Sequence, residues 1–358
     1  MKLGLIAQIR DEIDIIETWL QHVDALFDYV FLVDHQSIDG TGEILKKAVA
    51  QRQDWKYFYL DVKTYIQAAT STFVLHEAFT FDLDYLFFLD ADEFIDVKDR
   101  NELENLLHNR PEITSLADLH WKNCIQHEFD KDFLNFSDLI WIPEQISNHK
   151  KIIIPREVYE KYGKDLTIAH GNHSASATSV GPLNTYGIGT LLHVPIRSRE
   201  QAIKKVILMV IAMQGFKNCP SGRATHIFEI LQRIGNNRLT DDEVRGFTIT
   251  YDKILEDKFS VTEAELIEQN YRLISLNELH IARKESLVLN PVRNEAIFAR
   301  QLANALTKPE ENIPEFIKLK LNNNVIQVDK SDLNPSLPAK VKKNMLSLIR
   351  KLRKKLHL

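Results

Sequence analysis

The first 125 residues switch repeatedly between two hydrophobic periods, and this alternation constrains the fold more than any other feature of the chain. Lys2 to Ile9 is an apolar run of strand length. Residues 12–27 then place Ile13, Ile16, Leu20, Val23 and Phe27 at helical spacing. Tyr29 to Val33 reads as a second strand, Glu43 to Ala50 as a helix behind the Asp39-Gly40-Thr41 turn, and Trp55 to Leu60 as a third strand. A helix over residues 65–79 and a wholly apolar strand, Tyr85 to Leu89, complete the series. Strands alternating with helices specify an α/β fold, a largely parallel sheet covered on both faces. In such sheets ligands gather beyond the carboxyl ends of the strands. Twelve glycines in 358 residues are few against a usual share of roughly 7% and argue against an all-β sandwich.

The chain changes character further on. Leu116 to Ile125, Lys151 to Ile154 and Thr190 to Val194 read as strands among loops rich in Gly, Asn, Ser and Pro. The expected organisation is one domain over residues 1–200, with a donor-binding half at 1–112 and an acceptor half at 113–200. A mainly helical region at 201–307 follows, then a linker at 308–338 with room for one short hairpin, then a tail at 339–358. The last 19 residues hold eight Lys/Arg and no Asp/Glu, so the rest of the chain, within a net charge of −5, carries −13. An acidic body does not suit nucleic acid. As a helix, the tail sets Val341, Met345, Leu348, Ile349, Leu352 and Leu356 opposite its basic residues, the pattern of a helix lying on an anionic membrane surface.

No apolar stretch reaches the roughly 18 residues of a spanning helix, and the N-terminus lacks the form of a signal peptide. Cys124 and Cys219 are isolated and form no CxxC, which excludes a zinc ribbon. The expected location is cytoplasmic, with the tail on the inner face of the cell membrane.

Chemistry concentrates in Phe87-Phe88-Leu89-Asp90-Ala91-Asp92-Glu93-Phe94. Three carboxylates within four residues repel one another unless a cation neutralises them. Asp oxygens suit hard divalent ions, Mn2+ or Mg2+, and alternate residues of an extended chain, here Asp90 and Asp92, project to one side. Two further loops follow buried strands. In Val33-Asp34-His35-Gln36-Ser37-Ile38-Asp39-Gly40-Thr41, Asp34 is placed to accept hydrogen bonds from a nucleoside, whereas Asp39 serves equally well as a turn residue. In Ala7-Gln8-Ile9-Arg10-Asp11-Glu12, Arg10 is placed to meet a diphosphate and Glu12 to cap a helix. His170-Gly171-Asn172-His173 sits among loop formers and reads as an acceptor-site or turn element, not a zinc site.

Taken in order, Arg10-Asp11-Glu12, Glu17-Thr18-Trp19-Leu20, Val33 to Thr41 and Asp90 to Phe94 resemble the GT-A glycosyltransferases of the family-two type over roughly the first 100 residues. Leu192-His193-Val194-Pro195-Ile196-Arg197-Ser198, with Glu200 and Lys204, resembles the late His motif of the same branch. Asp11 departs from the usual Asn. The resemblance implies a Rossmann-like GT-A domain, a nucleotide-sugar donor touching Ala7, Arg10, Glu12, Asp34, Asp39 and Asp90, and metal ligation by Asp90, Asp92 and His193. It also implies Arg197 beside the leaving diphosphate and an inverting transfer to an acceptor hydroxyl. The basic tail on an enzyme expected in the cytoplasm suggests a glycan or lipid-linked acceptor in bacterial surface polysaccharide or lipopolysaccharide synthesis. Glu128, Asp130 and Asp138, with Asp118, are the carboxylates offered as catalytic base. Competing readings are an Asp-x-Asp phosphotransferase or phosphatase, whose pair usually follows the first strand, a sugar nucleotidyltransferase, and a degenerate transferase acting as a scaffold.

Overall fold

A computed structural model describes residues 1–61, 66–109, 115–131, 134–206, 239–249, 260–279 and 281–289, together with the backbone of 207–214, 316–321 and 324–329. The tail at 339–358 lies outside the described residues, as does most of the expected linker.

The expected alternation is present. In chain order it runs β1 (Leu3–Ile9), α1 (Ile16–Leu26), β2 (Tyr29–Asp34), α2 (Thr41–Ala50), β3 (Trp55–Tyr59), α3 (Gln67–Ala78) and β4 (Tyr85–Phe88). These four strands lie side by side in the order β3-β2-β1-β4, all parallel. Period-two alternation sorts their side chains. Leu3, Leu5, Ala7 and Ile9 of β1 join a core with α1 and α2, whereas Ile6 joins a second core with Val74 and Leu75 of α3. Both faces of the sheet are thus covered, which explains why these strands read as continuous apolar runs.

Sequence reasoning did not see how the sheet continues. Two short elements follow β4, namely β5 (Glu93–Ile95) and α4 (Arg100–His108), the latter capped by the Asp99 carboxylate accepting the Glu102 N–H. Then come β6 (Leu116–Asn123), β7 (Ile125–Gln126), β8 (Leu139–Pro143), β9 (Lys150–Pro155), α5 (Arg156–Tyr162), β10 (Leu166–Ile168), β11 (Ala175–Ala177), β12 (Gly181–Pro182) and β13 (Thr185–His193). The large sheet has eight strands, β3-β2-β1-β4-β9-β6-β13-β5, with β9 antiparallel to both β4 and β6. Residues 113–200 therefore continue the sheet begun by the first 112, and β9 lies directly beside β4, the strand that Asp90 follows.

Helix α6 (Arg199–Gln214) opens the C-terminal region, followed by helices at Asp241–Ile249 and Glu263–Glu268. That region is not purely helical, because Tyr271–Ser275 is a strand that pairs antiparallel with β8. A short hairpin, Phe316–Leu321 with Asn324–Asp329, falls where the linker left room for one. Buried His22 stitches the later segment to the domain. Its Nδ1–H donates to the Ala282 carbonyl at 2.7 Å, and its Nε2 accepts the Ile95 N–H at 2.9 Å. Among the described residues no helix is long and apolar enough to cross a membrane.

Candidate active site

Asp90 and Asp92 stand just past the carboxyl end of β4, where the parallel part of the sheet meets the antiparallel part. The charges beside them are protein cations. Lys151 of β9, its side chain 1% exposed, places Nζ 2.6 Å from Asp90 Oδ2 and 3.4 Å from Glu93 Oε1. Gln67, at the start of α3, donates to Asp90 Oδ1 at 3.2 Å. Lys205 of α6 donates to Asp92 Oδ2 at 2.9 Å. The repulsion expected within Asp-x-Asp-Glu is therefore already relieved in part by two lysines that reach it from strands and helices distant in sequence.

The three acids differ in their environments. Burial opposes the charge of Asp92, but the Lys205 ammonium, with the Arg197 guanidinium, outweighs it and holds the carboxyl well below its ordinary range. Glu93 has no exposure, and burial, with Asp90 and Asp92 adding to it, pushes its carboxyl well above the ordinary range despite Lys151. Its Oε2 accepts the Asp90 N–H at 2.8 Å, so Glu93 braces the turn that presents Asp90. Lys151 keeps its charge because Asp90 and Glu93 overcome the cost of its burial.

His193, at the end of β13, reaches the same cluster. The Asn123 amide donates to the Thr248 carbonyl at 2.8 Å, which turns its oxygen toward His193 Nδ1 at 3.0 Å. The Nδ1–H is thereby fixed as a donor, and Nε2, 3.8 Å from Asp92 Oδ2, carries the lone pair. Burial lowers this imidazole to about 3, so it is neutral at physiological pH. Two electron-pair donors facing each other, with the imidazole oriented by a hydrogen bond behind it, fit a hard divalent cation. Among the described residues no three His, Cys, Asp or Glu side chains form a ready-made cage. An ion held by one or two protein ligands leaves its remaining positions for phosphate oxygens and water, the habit of magnesium.

Several expected donor contacts have other occupations. Arg197 is buried among carboxylates. It is 2% exposed, donates from Nε to Asp14 at 2.7 Å, also holds Glu12, and lies 3.9 Å from Asp92. Glu12 is thus the ion-pair partner of Arg197, not a helix cap, and burial raises its carboxyl to about 7. Asp39 is a turn residue. Oδ1 accepts the Thr41 N–H at 3.0 Å, and Oδ2 holds Lys204 of α6. Asp34 is buried, accepting the Ser37 N–H at 2.8 Å and the Tyr57 hydroxyl at 2.7 Å, while Gly42 leaves it room, since a Cβ there would stand 2.5 Å from Oδ2. The side chain of Ala7 packs in the core under β1. Arg10 lies at the first loop with Nε 3.7 Å from Asp11. Asp11 has a φ of 58°, a left-handed conformation that Asp and Asn enter more readily than most residues. Its carboxylate accepts the Ile38 N–H at 2.7 Å and so ties the first two loops together.

The structure brings none of the three carboxylates offered as base into the Asp90–Asp92 cluster. Glu128 and Asp130 are exposed and pair with Lys131 and Arg199 at 3.1 and 3.3 Å. Asp138 is a loop staple that accepts from Lys131 and from the Asn135 N–H, each at 2.8 Å. Asp118 faces Lys150 and His120 at 2.9 and 3.1 Å.

Beside the cluster, on its β6 side, lie aromatic rings. Trp121 of β6 stacks on His193 with centroids 4.0 Å apart, and His149 and His173 flank it at 5.2 and 5.5 Å. Lys151, Gln67, Lys205 and Trp121 were missed by sequence reasoning. For Lys151 a faint signal existed, because its position shares a strand face with buried Ile153.

No family model and no curated protein matches the chain. Among solved structures, a mannosyltransferase from Pyrobaculum calidifontis in complex with GDP-Man and Mn2+ aligns at 13% identity over 70% of this chain and 73% of that one, with a TM-score of 0.35. A CMP:2-keto-3-deoxy-manno-octonic acid synthetase complexed with CTP aligns at 10% identity over 60% of this chain and 100% of that one, with a TM-score of 0.31. Likenesses this remote say nothing about donor, metal or acceptor.

Proposed function

We propose that this chain is a glycosyltransferase that transfers a sugar from a nucleoside-diphosphate donor to an acceptor hydroxyl, with inversion at the anomeric carbon. The observation that carries the reading is the Asp90–Asp92 turn at the end of β4, where Asp92 faces a neutral, tautomer-fixed His193 and is flanked by Lys205. Such a turn suits a ligand rich in phosphate oxygens, because fixed ammonium groups attract its charge while a carboxylate and an imidazole retain electron pairs for a cation.

Asp92 and His193 would hold Mn2+ or Mg2+, with Asp90 directed instead at Lys151 and Gln67. The ion supplies stabilisation of the charge that builds on the departing diphosphate. The protein supplies the rest. Lys205 lies beside Asp92 and adds fixed positive charge, Asn123 keeps Nε2 of His193 unprotonated, and Glu93 and Gln67 hold the Asp90 turn in place. A glycan or lipid-linked acceptor in bacterial surface polysaccharide or lipopolysaccharide synthesis, and peripheral attachment through residues 339–358, complete the proposal.

Incubating the full chain with UDP-, GDP- and CDP-sugars and Mn2+ tests this reading. One donor is expected to release its nucleoside diphosphate. Release from Asp92→Asn equal to that from wild type contradicts the proposal.

A further inference from the structure

Transfer to a hydroxyl needs a proton acceptor, and Glu128, Asp130, Asp138 and Asp118 all pair away from the Asp90–Asp92 turn. The 170–173 turn offers one. Gly171 and Asn172 both have positive φ, 77° and 59°, which makes the turn sharp. It is hitched to the donor site. The Gly171 N–H donates to Gln67 Oε1 at 2.9 Å, and the same amide's Nε2 donates to Asp90 Oδ1. A single glutamine thus fixes the turn relative to Asp90. His173 follows immediately, and its Nδ1 lies 2.6 Å from the Lys150 carbonyl oxygen. A carbonyl only accepts, so Nδ1 carries the proton and Nε2 the lone pair. The Trp121 ring meets the imidazole nearly edge-on, at 74°, and buttresses it. A Cβ on Gly171 would stand 2.4 Å from Nε2, so glycine keeps that edge of the ring clear. No described residue bonds to Nε2.

We infer that His173 Nε2 is the base that takes the acceptor's proton, an inference that rests on the transferase reading. As the acceptor oxygen bonds to the anomeric carbon, its proton passes to Nε2. The bond from that carbon to the diphosphate oxygen breaks, and its electron pair leaves on the phosphate. The imidazole is available for this at neutral pH. Burial, with Lys151 adding to it, lowers its pKa below the ordinary value, against the raising influence of the Lys150 carbonyl and Asp90, while His149 lowers it slightly. The charged and titratable groups facing His173 are therefore Lys151 on β9, Asp90 after β4 and His149.

The test uses the full chain with UDP-glucose, GDP-mannose and CDP-glucose, water serving as acceptor, and follows nucleoside diphosphate release beside calorimetric binding of UDP, GDP and CDP. His173→Asn keeps a donor for the Lys150 carbonyl but has no base. It is expected to bind nucleotide as wild type does and to release it about 100-fold more slowly. His173→Ala is expected to regain rate when imidazole is added, which a purely structural residue would not allow. The wild-type rate is expected to fall as pH drops through a value below that of an ordinary imidazole, and this limb disappears in His173→Asn. Near-wild-type release from His173→Asn, or absent rescue together with an unchanged acid limb, overturns the inference. So does a wild type that binds nucleotide but hydrolyses none of the three donors. A wild type that binds no nucleotide overturns the transferase reading itself.

Discussion

Lys151→Met is expected to destabilise the protein by about 3–5 kcal/mol, the usual cost of removing one partner from a buried ion pair. Lys151 is almost fully buried with Asp90 and Glu93 against its ammonium group, and methionine preserves most of the aliphatic stem while deleting the charge. Glu93 tolerates the loss better than Asp90, because burial already favours its neutral form. Asp90 is the group left uncompensated, though its partial exposure to solvent places the cost toward the lower end. Removing that carboxylate as well should recover stability, so Lys151→Met/Asp90→Asn is expected to be more stable than Lys151→Met alone. Urea denaturation of the four proteins in the cycle measures the coupling. Additive effects would mean that the contact between Lys151 and Asp90 contributes nothing.

Arg197→Met is expected to have an effect of similar size with a distinct pH signature. Arg197 lies between Glu12, Asp14 and Asp92, all drawn from segments more than 100 residues away in sequence. For Asp14, burial works against the charged form, but Arg197 overturns it and the carboxyl sits below its ordinary value. A depressed carboxyl contributes stability that is complete above the unfolded value near 3.8 and is lost as pH falls through the folded one. In wild type, this contribution therefore persists through the neutral and mildly acidic range. Without the guanidinium the sign reverses for Asp14, because burial then favours its protonation, and the carboxyl of Glu12, already raised by burial, is raised further. The variant should be about 3–5 kcal/mol less stable than wild type at neutral pH, with the gap narrowing as the solution is acidified toward pH 5. A gap that is small, or that does not change with pH, contradicts this account of the cluster.

These two side chains also mark where the sequence is legible and where it is not. The alternation of β1 to β4 with their helices was readable because local apolar period decides it, and so was the position of Asp90 and Asp92 at a strand end. Short β5 and the small sheet of β10 to β12 carry too little periodicity to be seen. The placement of β9 between β4 and β6 is a choice of sheet order, not of local pattern, and that choice alone delivers Lys151 to Asp90. Arg197 was noticed in the sequence, but its protein partners were not. The motif near it suggested a phosphate, whereas folding brings Glu12 and Asp14 against it from the opposite end of the domain. Asp39 and Glu12 show the same limit, since an acidic residue in a loop reads alike whether it meets a ligand or a lysine or arginine from a helix not yet placed. The base candidates were legible only as carboxylates, for a related reason. Glu128, Asp130 and Asp138 have the right chemistry, but their partners Lys131 and Arg199 hold them elsewhere. The histidine turn was read as an acceptor-site or turn element, but the carbonyl that fixes the tautomer of His173 is contributed by β9.

Calorimetric binding of UDP, GDP and CDP, with and without Mn2+, to the wild type and to Asp92→Ala tests the central claim most directly. The account predicts that one nucleotide binds, that Mn2+ strengthens its binding, and that the substitution abolishes the Mn2+-dependent part. Failure of all three nucleotides to bind, or binding that Asp92→Ala leaves intact, would contradict it and return the Asp90–Asp92 turn to a purely structural role.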